Sequence, residues 1–196
     1  MNVAVIDPDP GLPPRRAFNA DDIRRMVDAG VLAEDENIEL VEGEIVVMAA
    51  KSYAHERIKN ALVKALVMAA PADVEIGIEM TIQFAPSILL EPDIVAIPVS
   101  KMRKSEANFV TVEPGGCLLL IEMAATSVAF DKGRKASLYA KLGVQEYWVV
   151  DTNERWTWIY RGPSEGGWAS IDKHGPGDTL TAQELPAFHI RLDDIG

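Results

Sequence analysis

Cysteine is almost absent from this chain of 196 residues. Its single thiol, Cys117, excludes an internal disulfide and any zinc site built from several cysteines. Long hydrophobic runs are also lacking, since no stretch approaches the roughly 18–20 uncharged apolar residues of a membrane span. The N-terminus has neither the basic start nor the apolar run of a secretory signal peptide. We therefore expect a cytoplasmic protein without a membrane partner.

Positive charge is scarce as well. The chain has 19 Lys and Arg against 30 Asp and Glu, a net charge of −11. A protein that holds a polyanion by bulk attraction is normally basic, because phosphate neutralisation supplies most non-specific affinity. A nucleic-acid partner would therefore need a local basic strip. The sequence offers one candidate strip, composed of Arg15, Arg16, Lys101, Arg103 and Lys104.

The remaining composition is typical of one globular α/β domain. Apolar residues make up 48% of the chain, enough to bury a sizeable core. We interpret residues 1–17 as a flexible, Pro-rich arm and residues 18–196 as a single domain. The predicted order of elements, α-ββ-α-β-β-β-α-β-β-β, favours a mixed central sheet with helices packed on it.

The first half of the domain contains three informative patterns. Ser52 is predicted to cap a helix that reaches about Ala70, with His55 on its apolar stripe. Strict alternation of apolar and polar residues over 74–84 predicts one half-buried strand. Residues 89–97 are predicted to form the next strand, which ends at Pro98.

The second half alternates strands and a helix. The apolar run over 117–123 predicts a strand covered on both faces, and residues 131–142 predict a helix. Residues 155–161 and 168–171 are predicted to form an extra antiparallel strand pair. This pair contains Trp156, Trp158 and Trp168, for which a core or dimer surface is the preferred interpretation over a base-stacking platform.

Two carboxylates interrupt these apolar strands. Asp93 and Glu122 each lie inside a hydrophobic run, where an unpaired carboxylate costs several kcal/mol. Each is therefore protonated, paired or holding a cation. If the two strands are neighbours, both side chains can meet at one edge and hold a hard divalent metal such as Mg²⁺ or Mn²⁺. The alternative is that both lie at strand ends, exposed or in salt bridges.

Lys135 is the third unusual residue. At 100° per residue it points into the middle of the apolar arc of its helix. Its ammonium either reaches past the edge of the sheet or neutralises acidic groups there. Together with Asp93 and Glu122, it would provide two carboxylates for a metal and one cation for developing negative charge. Metal-assisted phosphodiester hydrolysis needs these groups.

These residues resemble a known nuclease signature. Pro92-Asp93 followed by Glu122 is similar to the PD-(D/E)XK motif, although Ala124 stands where the motif usually has its lysine. Lys135 matches a known variation in which the lysine has migrated to the following helix. Longer runs resemble the Uma2 family (DUF820) of restriction-endonuclease-like bacterial proteins. These runs are residues 38–44, 121–127, 130–135, 138–140, 143–151 and 175–180.

The resemblance covers about residues 18–195. It implies a restriction-endonuclease-like fold, a divalent metal and, as is often the case in the family, a homodimer. By position, Asp93 and Glu122 match the metal carboxylates of the family and Lys135 its helix lysine. His55 matches a histidine early in the first core helix. Glu42, beside the predicted hairpin glycine Gly43, is a candidate accessory acid, with a solvated turn carboxylate as the simpler interpretation.

The sequence therefore predicts a Mg²⁺- or Mn²⁺-dependent DNA endonuclease. Asp93 and Glu122 would hold the metal, and His55 would assist at the rim. Lys135 would stabilise the phosphorane or orient the attacking water. Two alternatives stay open. One is a catalytically silent, dimeric binding module with this fold, favoured by the negative charge and by Ala125, where relatives often carry Asp. The other is a phosphoesterase that acts on a small substrate.

Overall fold

The structure is a computed structural model that describes residues 5–6 and 13–195. Most of the predicted Pro-rich arm lies outside the described residues. Its described parts, Val5–Ile6 and Arg15–Arg16, pair as short antiparallel strands. The chain divides into two compact units. Unit 1 contains the described residues up to 50 together with 81–91 and 103–111, and unit 2 contains 51–80, 92–102 and the described residues from 112 onward.

The helices and strands follow one another along the chain. In order they are β1 Val5–Ile6, β2 Arg15–Arg16, α1 Ala20–Asp28, β3 Ile38–Val41, β4 Glu44–Val47, α2 Tyr53–Ala69, β5 Val74–Ile78, β6 Ile82–Ala85, β7 Ile88–Leu90, β8 Ile94–Pro98, β9 Met102–Lys104, β10 Val110–Val112, β11 Leu119–Ala124, α3 Val128–Phe130, α4 Ala136–Lys141, β12 Glu146–Asp151, β13 Thr157–Ser164, β14 Gly167–His174, β15 Leu180–Ala182 and β16 Leu185–Ile190. A π-helical turn, Asp131–Lys135, joins α3 to α4.

Two six-stranded sheets dominate the structure. The first has the strand order β4-β3-β7-β6-β10-β9, and the second has the order β14-β13-β12-β11-β8-β5. In the second sheet β11 and β12 run parallel and the other neighbours are antiparallel. The predicted mixed sheet, the flanking helices and the extra antiparallel pair (β13 and β14) are confirmed. No helix among the described residues is long and apolar enough to cross a membrane.

Unit 1 is built around α1 and the β3–β4 hairpin. Asn19 caps α1 through a capping box with Asp22, because each side chain accepts a hydrogen bond from the other's backbone N–H. Glu42 and Gly43 form the two-residue hairpin turn, with φ values of 52° and 88°. Left-handed backbone at both central positions matches the twist of the flanking strands. The predicted hairpin is therefore confirmed.

Unit 2 holds the larger core. The helix α2 begins after Ser52, whose Oγ accepts a hydrogen bond from the backbone N–H of His55 at 3.2 Å, so the predicted cap is confirmed. Its apolar stripe packs with the inner residues of the second sheet and with the β15–β16 hairpin. This core includes Ile58, Leu62, Leu66, Ile121, Trp148, Val150, Ile159 and Phe188.

Two strand predictions are wrong in the same way. The predicted strand over 74–84 is two strands, β5 and β6, which belong to different sheets. Between them Glu79 adopts a left-handed conformation with φ 49°, which an extended strand does not allow. The predicted strand over 89–97 is also two strands, β7 and β8. Pro92 separates them, because proline cannot donate to a sheet ladder.

Candidate active site

Of the two carboxylates predicted to meet, Asp93 directly precedes β8 and Glu122 lies on β11, the neighbour of β8 in the second sheet. Ile94 of β8 is opposite Ile121 of β11 in an antiparallel register. One step further along, this register sets Asp93 opposite Glu122. The backbone N–H of Met123 donates to Oδ2 of Asp93 at 2.8 Å, which fixes that carboxylate against β11. Asp93 is 7% exposed and Glu122 is 4% exposed, so both carboxylates are buried.

His55 approaches Asp93 from the first turn of α2. Its Nε2 lies 3.1 Å from Oδ1 of Asp93, and its Nδ1 lies 3.2 Å from Oε1 of Glu56. A neutral imidazole has one donor and one acceptor nitrogen, so both contacts are hydrogen bonds only when the ring is protonated. The Ser52 cap holds the backbone of His55 at the helix start. His55 therefore lies beside a candidate metal carboxylate and is itself buried, with 5% exposure.

Lys135 and Tyr139 approach Glu122 from the helical segment that follows β11. The ammonium of Lys135 donates to Oε1 of Glu122 at 3.0 Å, and the hydroxyl of Tyr139 donates to the same oxygen at 2.8 Å. Lys135 is 1% exposed, so its ammonium neutralises Glu122 inside the protein. The sequence predicts a role in the site for this lysine and none for Tyr139. Its hydroxyl in fact orients Glu122.

The π-helical turn delivers Lys135 to the sheet. A π turn inserts one extra residue into an α-helix and is often found at functional sites. Asp131, its first residue, is buried and accepts a hydrogen bond from the Ser127 hydroxyl at 2.6 Å. Tyr147 donates to the backbone carbonyl of Asp131 at 3.1 Å. Burial, and then the charge of Asp131, raise the pKa of Tyr160 to about 12.

A chain of charged residues extends from His55 on the side away from Asp93. Lys59, which is 4% exposed, donates to Oε1 of Glu56 at 2.8 Å and to Glu79, and Lys51 pairs with Glu79 at 2.7 Å. This network is not among the features predicted from the sequence. A signal was present, because Lys59 follows His55 by one helical turn and must share its buried stripe.

Both inner members of this network have shifted pKa values. Burial lowers the pKa of Lys59, but hydrogen bonds and charges from Glu56 and Glu79 outweigh it and raise the pKa above 10.5. Burial raises the pKa of Glu79, but Lys51 and Lys59 outweigh it and lower the pKa below 4.5. Both groups therefore stay charged near neutral pH. The network keeps a carboxylate, that of Glu56, next to His55.

Glu42 lies in unit 1, exposed at the tip of the β3–β4 hairpin, and its proposed role as an accessory acid stays a prediction. Cys117 is buried, and desolvation raises the pKa of its thiol to about 12. A thiol with that pKa is not a nucleophile at neutral pH.

The donor chemistry at Asp93 and Glu122 fits a hard divalent cation. Mg²⁺ usually takes one or two protein carboxylates and completes its octahedron with water and substrate phosphate. Within residues 5–6 and 13–195, no group of three or more His, Cys, Asp or Glu side chains is arranged to hold a metal. The candidate site is therefore a two-carboxylate site, in which water and phosphate would supply the remaining ligands.

Comparison with known proteins supports the mixed α/β fold described above. The chain resembles a crystal structure from Anabaena variabilis described as "a putative nuclease belonging to DUF820", with a TM-score of 0.70 and 19% identity. The match covers 91% of this chain and 97% of the other. Comparison with curated protein sequences gives no match. The Uma2 family, described as "Putative restriction endonuclease", matches over residues 21–193, and this chain belongs to it.

Proposed function

We propose that this protein is a divalent-metal-dependent DNA endonuclease. One observation carries the proposal: two buried carboxylates lie at the same end of the adjacent strands β8 and β11, and each has its own nitrogen-bearing partner. Asp93 has His55, and Glu122 has Lys135. Restriction endonucleases cleave DNA, so the family description supports DNA as the substrate.

Asp93 and Glu122 would hold Mg²⁺ or Mn²⁺ through their oxygens. When bound, the metal supplies a water of lowered pKa and neutralises charge on the scissile phosphate. The Met123 N–H and the Tyr139 hydroxyl hold these two carboxylates in place. Ligands that are oriented before the metal binds lower the cost of forming the site.

Lys135 and His55 have different tasks in the proposed reaction. The Lys135 ammonium is a fixed positive charge beside Glu122, in surroundings of low dielectric where its field is strong. It would stabilise the negative charge that develops on the phosphorane oxygens. His55 would orient Asp93 and share a proton with it.

We also propose that the protein acts as a homodimer, which sedimentation velocity tests.

Plasmid nicking tests the proposal directly. Supercoiled plasmid is incubated with the wild type and with Mg²⁺, Mn²⁺ or EDTA, and the same assay is run on Asp93→Asn and Glu122→Gln. We expect metal-dependent nicking that falls about 100-fold or more in both variants. Glu75→Gln is the matched control, because Glu75 is an exposed carboxylate on β5 of the same unit. Nicking that survives in Asp93→Asn, or that needs no metal, contradicts the proposal.

Calorimetric titration with Mn²⁺ separates the alternatives. Metal binding without nicking, but with hydrolysis of bis(p-nitrophenyl) phosphate, favours a phosphoesterase that acts on a small substrate. Absence of both metal binding and hydrolysis favours a catalytically silent binding module.

A further inference from the structure

Lysine and tryptophan side chains alternate on the surface beside the candidate site. Nζ of Lys132 lies 3.8 Å from the ring centroid of Trp158. Nζ of Lys173 lies 3.8 Å from the ring centroid of Trp156 and 5.3 Å from that of Trp158. We name Lys132, Trp158, Lys173 and Trp156 the lysine–tryptophan ladder. All four belong to unit 2.

The ladder lies in line with the candidate site. Across the second sheet, Glu122 is opposite Val149, Val149 is opposite Trp158, and Trp158 is opposite Lys173. Residues directly opposite each other project from the same face of a sheet. Neighbouring strands are about 4.8 Å apart, so Trp158 is about 10 Å from Glu122 along the row and Lys173 about 14 Å. A few nucleotides of one strand span that distance.

One helical segment serves both places. The π-helical turn carries Lys132 to the face of Trp158 and Lys135 to the carboxylate of Glu122. The two lysines are three residues apart, yet one contacts an indole and the other a buried acid. One lysine of the ladder and the lysine of the candidate site are therefore held by the same element.

The cations of the ladder are not neutralised. In the part of the chain that the structure describes, neither Lys132 nor Lys173 forms a salt bridge, and both ammonium groups lie over indoles instead. Asp151, at the end of β12, is not the partner of either lysine. Its Oδ1 instead accepts hydrogen bonds from the backbone N–H groups of Asn153 and Glu154. The predicted basic strip differs, because three of its members are in ion pairs: Arg15 with Glu44, Arg16 with Asp22 and Lys101 with Glu113.

The tryptophans of this region separate into two kinds. Trp168 is half-buried, and it donates to the carbonyl of Ala136 at 2.8 Å and contacts the rings of Tyr147 and Tyr160. Trp156 is 36% exposed, and Trp158 is partly exposed. An exposed indole flanked by unneutralised ammonium groups is suited to unpaired bases and their phosphates.

We propose that the lysine–tryptophan ladder binds a single-stranded segment of DNA next to the cleavage site. The inference rests on the proposed function and adds the surface that receives the substrate. Lys132 and Lys173 contact phosphates, and the exposed face of Trp156 stacks on a base. Because stacking needs an unpaired base, the protein binds single-stranded DNA more tightly than duplex of the same length.

Fluorescence anisotropy of a labelled oligothymidylate tests the proposal. The titrations contain EDTA, so cleavage does not contribute and binding is measured apart from activity. We expect Trp156→Leu to weaken binding about 5-fold or more, and Trp156→Phe to retain most of the affinity because it still stacks. Lys173→Gln is expected to reduce the slope of log affinity against log salt by about 0.7. Lys64→Gln, on the exposed side of α2, is the matched control and leaves both quantities unchanged.

Melting temperatures first show that each variant is folded, which is expected for these surface positions. If the wild type, Trp156→Leu and Lys173→Gln bind the oligothymidylate with equal affinity, the proposed role of the ladder is overturned. Tighter binding to duplex than to single-stranded DNA also overturns it. Neither result affects metal-dependent plasmid nicking, which reports on the proposed function. Conversely, if binding depends on the ladder but the protein never nicks DNA, the nuclease proposal is overturned. The ladder then remains a surface that binds single-stranded DNA.

Discussion

Nε2 of His55 lies 3.1 Å from Oδ1 of Asp93, while the backbone of β11 holds the other oxygen of that carboxylate. The two contacts come from different elements, α2 and β11, so Asp93 is oriented from both sides. The geometry of this candidate ligand is therefore set by the fold.

The first prediction concerns this orientation. His55→Ala removes one of the two restraints, and we expect the affinity for Mn²⁺ to fall about 10-fold or more, as for other residues that orient a ligand. His55→Gln keeps a polar group near Asp93 and should retain more affinity. Calorimetric titration measures both, with His189→Ala as a control at an exposed histidine of unit 2. Unchanged affinity in His55→Ala would show that Asp93 needs no such restraint.

The second prediction concerns the buried ion pair. Lys135→Met leaves the Glu122 carboxylate inside the protein without its ammonium, so we expect the free energy of unfolding to fall by about 3–5 kcal/mol. Adding Glu122→Gln removes the buried charge and should recover part of the loss, since contacting residues are not additive. Urea denaturation measures the cycle, and Lys64→Met controls for loss of an exposed lysine. A double variant less stable than Lys135→Met would contradict this account.

The third prediction is a pH dependence of stability. The pKa of Lys59 is raised on folding, so its stabilisation is complete below 10.5 and is lost as pH rises through the folded value. The pKa of Glu79 is lowered, so its stabilisation is present above 4.5 and is lost as pH falls through the folded value. The difference in unfolding free energy between wild type and Glu79→Gln should therefore be largest between these limits. Urea denaturation across pH tests this, and Glu75→Gln should show no such window.

The fourth prediction compares two glycines. Gly43 has φ 88°, and a Cβ there would lie 2.8 Å from Cβ of Ala17, so Gly43→Ala should cost about 1–2 kcal/mol. Gly133 lies in the π-helical turn with open space around it, so Gly133→Ala should gain about 0.5–1 kcal/mol from helix propensity. Thermal denaturation distinguishes the two. Equal effects would contradict the backbone argument.

Much of the candidate site could be predicted from the sequence, because charge inside an apolar run is a strong signal. Asp93, Glu122 and Lys135 each stand out in this way, and each is buried. Strand boundaries were harder, because the alternation over 74–84 continues through Glu79, where the backbone turns. No local pattern shows that β5 and β6 belong to different sheets. The position of Lys59 on the buried stripe is visible in the sequence, but Glu79 and Glu122, the partners of Lys59 and Tyr139, are distant along the chain and only the folded chain reveals these contacts.

The π-helical turn has a consequence for the spacing of Lys132 and Lys135, the two lysines that flank Gly133 and Arg134. Each residue of an α-helix advances about 100° around its axis. Shortening this turn by one residue would restore a regular helix and rotate everything before it relative to everything after it. Lys135 could stay on Glu122, but Lys132 would swing more than a quarter of a circle away from Trp158. The extra backbone position of the π turn therefore lets Lys132 contact Trp158 while Lys135 contacts Glu122 of the same sheet.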